Sequence, residues 1–123
     1  MTNINVGLLS PYRVLDISQG ACGLSSKIFA DLGADVIKIE SPTGDISRFR
    51  GPFIDDKPEI EGSYEWQYLN ANKRGITLDL DIDSHKELFK KLIIDCDFLF
   101  DSFEPGYLRS KDLSYLDLIK INP

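Results

Sequence analysis

The sequence has very few of the side chains that usually carry metal or acid–base chemistry. Its 123 residues include one histidine, His85, and two cysteines, Cys22 and Cys96. The two cysteines lie too far apart for any metal-binding spacing, and we interpret both as free thiols of a reducing compartment. A catalytic Ser-His or Cys-His pair needs a positioned histidine with a partner. The sequence pairs His85 with neither a second histidine nor an acidic residue, so we interpret His85 as a solvated surface residue.

Positive charge is also scarce, with 14 Lys and Arg against 20 Asp and Glu and a net charge of −6. An acidic chain lacks the basic field that general binding to nucleic acid or anionic membrane needs. No apolar run reaches the roughly 18 residues of a membrane span, and the first residues carry no signal-peptide pattern. The acidic clusters follow no calcium-loop pattern. We therefore predict a cytoplasmic protein with no nucleic-acid, membrane or metal partner.

The clearest local pattern is a strand, a turn, a helix and a second strand near the start of the chain. The apolar run Val14–Ile17 precedes a stretch of small and polar residues, Ser18–Gly23. Apolar residues then recur at helical spacing over Leu24–Leu32, Gly33 ends the helix, and a second apolar run ends at Glu40. This βαβ pattern places the turn at the carboxyl end of the first strand, where α/β folds bind ligands.

The remainder repeats this alternation after a long irregular segment. Residues 41–64 are rich in proline and glycine, which break regular structure. Beyond them the patterns predict, in order, a short helix at 64–69, a strand at 75–80, a helix from Asp83 or Ser84 to about 95, a strand from 98 to about 103, and helical pieces within 107–121. Alternation of this kind predicts an α/β fold with a Rossmann-like parallel sheet flanked by helices.

The glycine turn alone leaves its function open. A dinucleotide site would need G-x-G-x-x-G followed by an acid, but the chain offers only Gly20-x-x-Gly23 before Glu40. A tight turn that only brings a helix close to the sheet explains the same residues. Four basic residues could contact phosphate or could be solvated surface charges: Arg48, Arg50, Lys73 and Arg74.

Five sequence blocks together resemble the family III CoA-transferases, which include formyl-CoA transferases, carnitine CoA-transferases, bile-acid CoA-transferases and α-methylacyl-CoA racemases. The blocks are VLDISQGACG with ADLGADVIKIE, then GDISR, NANKRGITLDL, DFLFDSFEPG and YLDLIKINP. They occur in the family's order and cover the chain from about residue 12 to its end. Each block is weak by itself, whereas the set is specific.

The resemblance implies that residues 1–123 are the N-terminal, coenzyme A-binding part of a large Rossmann-like domain. It implies an enzyme that moves coenzyme A between an acyl-CoA and a carboxylic acid, and a homodimer, or a complementary chain if this chain is a fragment. The residues that match the family's coenzyme A site are Gln19, Gly20, Ala21, Asn72, Lys73, Arg74, Ser102 and Phe103.

The chain departs from the family pattern in several places. Ser102 replaces an asparagine, the first turn is one residue shorter than in formyl-CoA transferases, and Ser41-Pro42 stands where a basic residue is frequent. No aspartate here matches the family's nucleophile, so we name no catalytic residue and predict that this chain alone is inactive. A racemase-type enzyme, or a non-catalytic module that binds coenzyme A or a partner protein, remains an alternative.

Overall fold

A four-stranded parallel sheet forms the centre of the computed structural model, which describes residues 7–123. Its strands are β1 (Arg13–Asp16), β2 (Asp35–Glu40), β3 (Arg74–Thr77) and β4 (Phe98–Phe100). They lie in the order β3-β2-β1-β4, so the direction of winding reverses between β1 and β4. This arrangement confirms the predicted α/β fold with a parallel sheet. The first residues, in whose sequence we found no signal-peptide pattern, include residues 1–6, which lie outside the described residues.

Helices cover both faces of the sheet. They are α1 (Leu24–Asp31), α2 (Tyr64–Asn70), α3 (Asp83–Ile94), α4 (Tyr107–Ser110) and α5 (Tyr115–Leu118). Within residues 7–123, no helix is long and apolar enough to cross a bilayer. Ala30 of α1 packs with Val14 and Val36 on one face. Phe89 and Ile93 of α3 belong to the larger apolar cluster on the other.

The two faces of the sheet differ in chemistry, which the alternation along β2 makes plain. Ile37 and Ile39 point towards α3 and join its apolar cluster. Because successive side chains of a strand point to opposite faces, Lys38 and Glu40 lie on the α1 side. Both are buried, so this face carries buried charges towards the carboxyl ends of the strands.

The polar face explains why α1 does not bury its apolar stripe. The helix itself was predicted correctly, but Leu24 and Ile28 are 43% and 51% exposed. Ser26 and Ala30 face the sheet instead, and the Ser26 hydroxyl donates a hydrogen bond to the Asp16 carboxylate. A helix that packs over a buried carboxylate presents small and polar residues to it, and its large apolar residues then remain outside.

Four other sequence-based details were wrong. The strand predicted from 98 to about 103 ends at Phe100. β3 ends at Thr77, since Leu78 enters the core beyond the paired strand. The predicted cap of α3 is also absent, because Ile82 occupies the N-cap position without a side-chain cap. His85 is not simply solvated: it is half-buried, and its Nδ1 accepts a hydrogen bond from the Asp79 amide at 2.9 Å. The histidine therefore closes the loop between β3 and α3.

Candidate functional site

The turn after β1 requires a left-handed backbone conformation at Gly20. Gly20 is buried with φ +54°, and a Cβ there would lie 3.1 Å from Cγ2 of Ile46. Its amide donates to the Asp45 carboxylate at 3.1 Å. Gln19 precedes it, and its Oε1 accepts from the Ile46 amide at 3.2 Å, while its amide NH2 donates no hydrogen bond within residues 7–123. Ala21, the third predicted residue of this turn, is exposed.

The structure brings this turn against the end of β4. The backbone amide of Gln19 donates to Oγ of Ser102 at 2.9 Å, across 83 residues of sequence. These two residues belong to different blocks of the predicted site. They meet at the carboxyl edge between β1 and β4, where the strand order reverses and where open α/β sheets bind ligands.

A cleft of about 210 Å³ opens beside this contact, and we call it the carboxyl-edge cleft. Residues at or just beyond the carboxyl ends of all four strands contribute to its walls, among them Ile17, Gln19, Ile39, Leu78 and Phe103.

The chemistry of the cleft suits a flat, partly apolar ligand. The rings of Phe103 and Tyr107 stack with centroids 4.3 Å apart and planes inclined by 26°. Apolar side chains of the strands form one wall, whereas Asp79 and Asp81 add carboxylates that can accept hydrogen bonds. Asp81 is paired with Lys111, so the cleft combines an apolar wall, an aromatic surface and polar groups, which together suit a base, a ribose or an amide-containing chain.

Lys73 lies inside the molecule. Its side chain is 1% exposed. Its Nζ lies 2.9 Å from Oδ2 of Asp16, 3.0 Å from the Gly23 carbonyl oxygen and 3.1 Å from Oδ1 of Asn70. An ammonium has three protons, and here each has an acceptor. Burial lowers the pKa of Lys73, and the Asp16 carboxylate offsets only part of that effect.

The neighbours of Lys73 point to the amino ends of the strands. The Asn72 amide donates to Asp31 at 2.9 Å. Arg74 is 64% exposed at its side chain, and its guanidinium donates twice to Asp35, at 2.8 Å each. Five of the eight predicted site residues lie at the carboxyl edge of the sheet: Gln19, Gly20, Ala21, Ser102 and Phe103. Lys73 contacts this group through the Gly23 carbonyl. Asn72 and Arg74 lie towards the amino ends of the strands instead.

Asp16 is fully buried under the turn, and its neighbours favour the ionised form of its carboxyl group. Its Oδ1 accepts from the Ser18 amide at 2.9 Å and the Ser18 hydroxyl at 2.5 Å. Burial alone would raise the pKa of Asp16, but Lys38, Ser18, Ser26 and Lys73 outweigh it and hold the pKa below its ordinary value.

A second polar cluster, which the sequence did not reveal, orders the long segment after β2. Arg48 binds Glu40 with two hydrogen bonds of 2.7 and 2.8 Å, and its guanidinium lies 3.6 Å from the Trp66 ring centre. Asp45 caps the 3-10 turn Ile46–Phe49 by accepting from the Ser47 amide at 2.8 Å. The one available signal was Asp45-Ile46-Ser47, a spacing typical of such caps.

The family model described as CoA-transferase family III matches residues 9–123. Among curated proteins, a subunit of succinyl-CoA:(R)-benzylsuccinate CoA-transferase from Thauera aromatica is 41% identical over 113 residues, which are 92% of this chain and 28% of that protein. Formyl-CoA:oxalate CoA-transferase from Afipia carboxidovorans is 39% identical over 117 residues, 94% of this chain and 27% of that protein.

Solved structures agree with these matches. A CAIB/BAIF family protein from Brucella suis superposes with a TM-score of 0.85 at 35% identity, over 95% of this chain and 31% of that one. A hypothetical protein from Mycobacterium tuberculosis gives a TM-score of 0.82 at 29% identity, over 97% and 32%. This chain therefore spans about 30% of the length of the relatives it matches.

Proposed function

Because the chain belongs to CoA-transferase family III, we propose that it is the coenzyme A-binding part of an enzyme that moves coenzyme A between an acyl-CoA and a carboxylic acid. In this proposal residues 1–123 are the N-terminal part of the large Rossmann-like domain. The relatives supply the reaction class, since both curated proteins above are CoA-transferases by name.

One observation carries the placement of the ligand: the hydrogen bond from Gln19 to Ser102 at the carboxyl edge. It joins two sequence blocks that the family resemblance assigns to coenzyme A, directly beside the carboxyl-edge cleft. We infer that Gln19, Gly20, Ala21, Ser102 and Phe103 line the coenzyme A site.

The properties of the cleft favour the nucleoside or pantetheine part of coenzyme A as its occupant. Phe103 and Tyr107 offer an aromatic surface against which adenine can stack. Asp79 and Asp81 can accept hydrogen bonds from the adenine amino group or the ribose hydroxyls. The Gln19 amide NH2, which no contact within the turn consumes, can donate to a carbonyl oxygen of the ligand.

We further propose that the chemical step uses an aspartate nucleophile outside residues 1–123. A carboxylate nucleophile divides acyl transfer into two easier steps through a covalent intermediate. Asp16 and Asp45 are unsuited to that role, because each is buried and ion-paired to a lysine. The 123-residue chain should therefore bind coenzyme A without exchanging acyl groups between succinyl-CoA and carboxylates.

Substitution of Phe103 tests the site. Phe103→Leu keeps an apolar side chain against the core but removes the ring, and coenzyme A affinity measured by calorimetry should fall about tenfold. Phe49→Leu is the matched control, since Phe49 is 61% exposed and lies outside the cleft. Unchanged affinity in Phe103→Leu, or an equal loss in the control, would place the ligand elsewhere.

A further inference from the structure

Four charged side chains form a buried group beneath the turn 18–23, and we call it the charge quartet: Asp16, Lys38, Asp45 and Lys73. None of these side chains is more than 2% exposed. Lys73 pairs with Asp16 at 2.9 Å and Lys38 pairs with Asp45 at 2.9 Å, while Lys38 lies 3.9 Å from Asp16. Two positive and two negative charges thus balance within one buried group.

Every member of the quartet also binds the backbone of the turn. Lys73 donates to the Gly23 carbonyl at 3.0 Å, and Lys38 donates to the Ser18 carbonyl. In the opposite sense, Asp45 accepts from the Gly20 amide at 3.1 Å and Asp16 accepts from the Ser18 amide at 2.9 Å. These contacts come from β1, β2, the segment after β2 and the residue before β3. The turn is consequently fixed from four separate parts of the chain.

Stability alone does not account for this arrangement. Burying charges costs desolvation free energy, and apolar residues of similar volume often stabilise a core as well or better. The same strand shows the apolar solution on its other face, where Ile37 and Ile39 pack against the α3 side. What the quartet provides beyond an apolar core is directed hydrogen bonding to the backbone that carries Gln19.

Lys73 has no proton to spare for a ligand. Its three acceptors are Asp16, the Gly23 carbonyl and Asn70. Gly23 is in direct contact with Lys73, since a Cβ at Gly23 would lie at an ordinary contact distance of 3.5 Å from the Lys73 Nζ. A role through the turn is therefore better supported by the contacts than a direct role at a phosphate group.

We propose that Lys73 is a positioning residue of the coenzyme A site, which fixes the turn 18–23 through Gly23 and Asp16 and so holds Gln19 at the carboxyl-edge cleft. The inference rests on the proposed function, since it takes the cleft as the coenzyme A site. Lys73 acts on the ligand without touching it. Removal of its ammonium loosens the turn and weakens binding of coenzyme A and dephospho-CoA alike.

The test compares Lys73→Met, which keeps the length of the side chain, with Lys120→Met as a control, whose side chain is 74% exposed. Amide hydrogen exchange by NMR reports on Ser18 and Gly20 in the turn and on Ile37 in the sheet, and calorimetry reports on coenzyme A and dephospho-CoA. In Lys73→Met, exchange at the turn should rise at least tenfold relative to Ile37, and both ligands should bind about tenfold more weakly. If this variant does not fold, Asn70→Ala removes one acceptor of Lys73 and should shift both readouts in the same direction by less.

Two results would overturn the proposal. One is unchanged exchange at Ser18 and Gly20 in a folded variant that has lost affinity. The other is a loss for coenzyme A with none for dephospho-CoA, because this would mean that Lys73 contacts the 3′-phosphate. Failure of the unsubstituted chain to bind coenzyme A would instead overturn the proposed function, and hydrogen exchange would then decide by itself whether Lys73 fixes the turn.

Discussion

The Nζ of Lys73 lies 2.9 Å from Oδ2 of Asp16, although 57 residues separate the two in the sequence. The contact joins the residue before β3 to the last residue of β1, across the intervening strand β2. Besides the backbone ladder and the apolar packing between the strands, this buried ion pair therefore connects β1 to the start of β3 near the carboxyl edge of the sheet.

Asp16→Asn should destabilise the chain strongly. The substitution keeps the shape of the side chain but leaves the buried ammoniums of Lys38 and Lys73 with one carboxylate fewer. Removing one partner of a buried pair typically costs about 3–5 kcal/mol, which urea unfolding would measure. Asp83→Asn is the control, because the Asp83 side chain is 93% exposed and its loss should matter little. A cost for Asp16→Asn below about 1 kcal/mol would contradict a buried ionic role.

The free energy of unfolding should fall as the solution becomes acidic. The pKa values of Asp16 and Asp45 lie below their ordinary value of 3.8, because hydrogen bonds and lysine charges outweigh the opposing effect of burial. The unfolded chain then binds more protons than the folded chain as these groups titrate. Their contribution is fully present above about pH 5 and is lost as the pH falls through the ordinary value and then the lowered ones. Urea unfolding between pH 7 and pH 2 should show this loss, and a smaller one in Asp16→Asn.

Arg48→Lys should destabilise the segment after β2. A lysine keeps the charge but cannot reproduce the two-pronged contact with Glu40 or the stacking on Trp66. We expect a loss of about 2–3 kcal/mol in the free energy of unfolding. Arg50→Lys is the matched control: Arg50 pairs with Glu65 at 3.4 Å with half of its side chain exposed, so its change should stay below about 1 kcal/mol. Equal effects of the two substitutions would refute the special role of Arg48.

Arg74→Ala should leave the affinities for coenzyme A and dephospho-CoA unchanged within about twofold. Its guanidinium is paired with Asp35 at the start of β2, whereas the carboxyl-edge cleft lies beyond the other ends of the strands. Calorimetry with both ligands decides the matter. If coenzyme A alone binds more weakly, Arg74 reaches the 3′-phosphate, and it belongs to the coenzyme A site as the family resemblance implies.

Much of the fold could be predicted because the strands repeat a simple pattern. The apolar runs before Ser18 and Glu40 and the helical spacing between them fixed the first βαβ unit to within one or two residues. The face of α1 could not be predicted, since Leu24 and Ile28 have the spacing of a buried stripe yet remain exposed. Their exposure follows from Asp16 beneath the helix, and sequence alone does not show which face a strand residue takes.

The candidate site could also be predicted only in part. The resemblance identified Gln19 and Ser102 as members of one site, and the structure places them in contact. The resemblance also assigned Lys73 and Arg74 to this site, but neighbouring residues at the start of a strand point in opposite directions. One consequently enters the charge quartet and the other meets Asp35 outside. Phosphate contact by either residue, which the sequence left open, is tested by the affinities of the Lys73 and Arg74 variants for coenzyme A and dephospho-CoA.

The charged face of the sheet also affects how temperature acts on the protein. On unfolding, exposure of apolar surface raises the heat capacity and exposure of polar surface lowers it. Here the charge quartet and the Glu40–Arg48 pair occupy buried volume that apolar side chains fill on the α3 face. The heat-capacity increment of unfolding should therefore lie below the usual figure of about 12–15 cal/mol/K per residue. A smaller increment flattens the curve of stability against temperature, so that cooling and warming from the optimum weaken this chain more gradually than a sheet with two apolar faces.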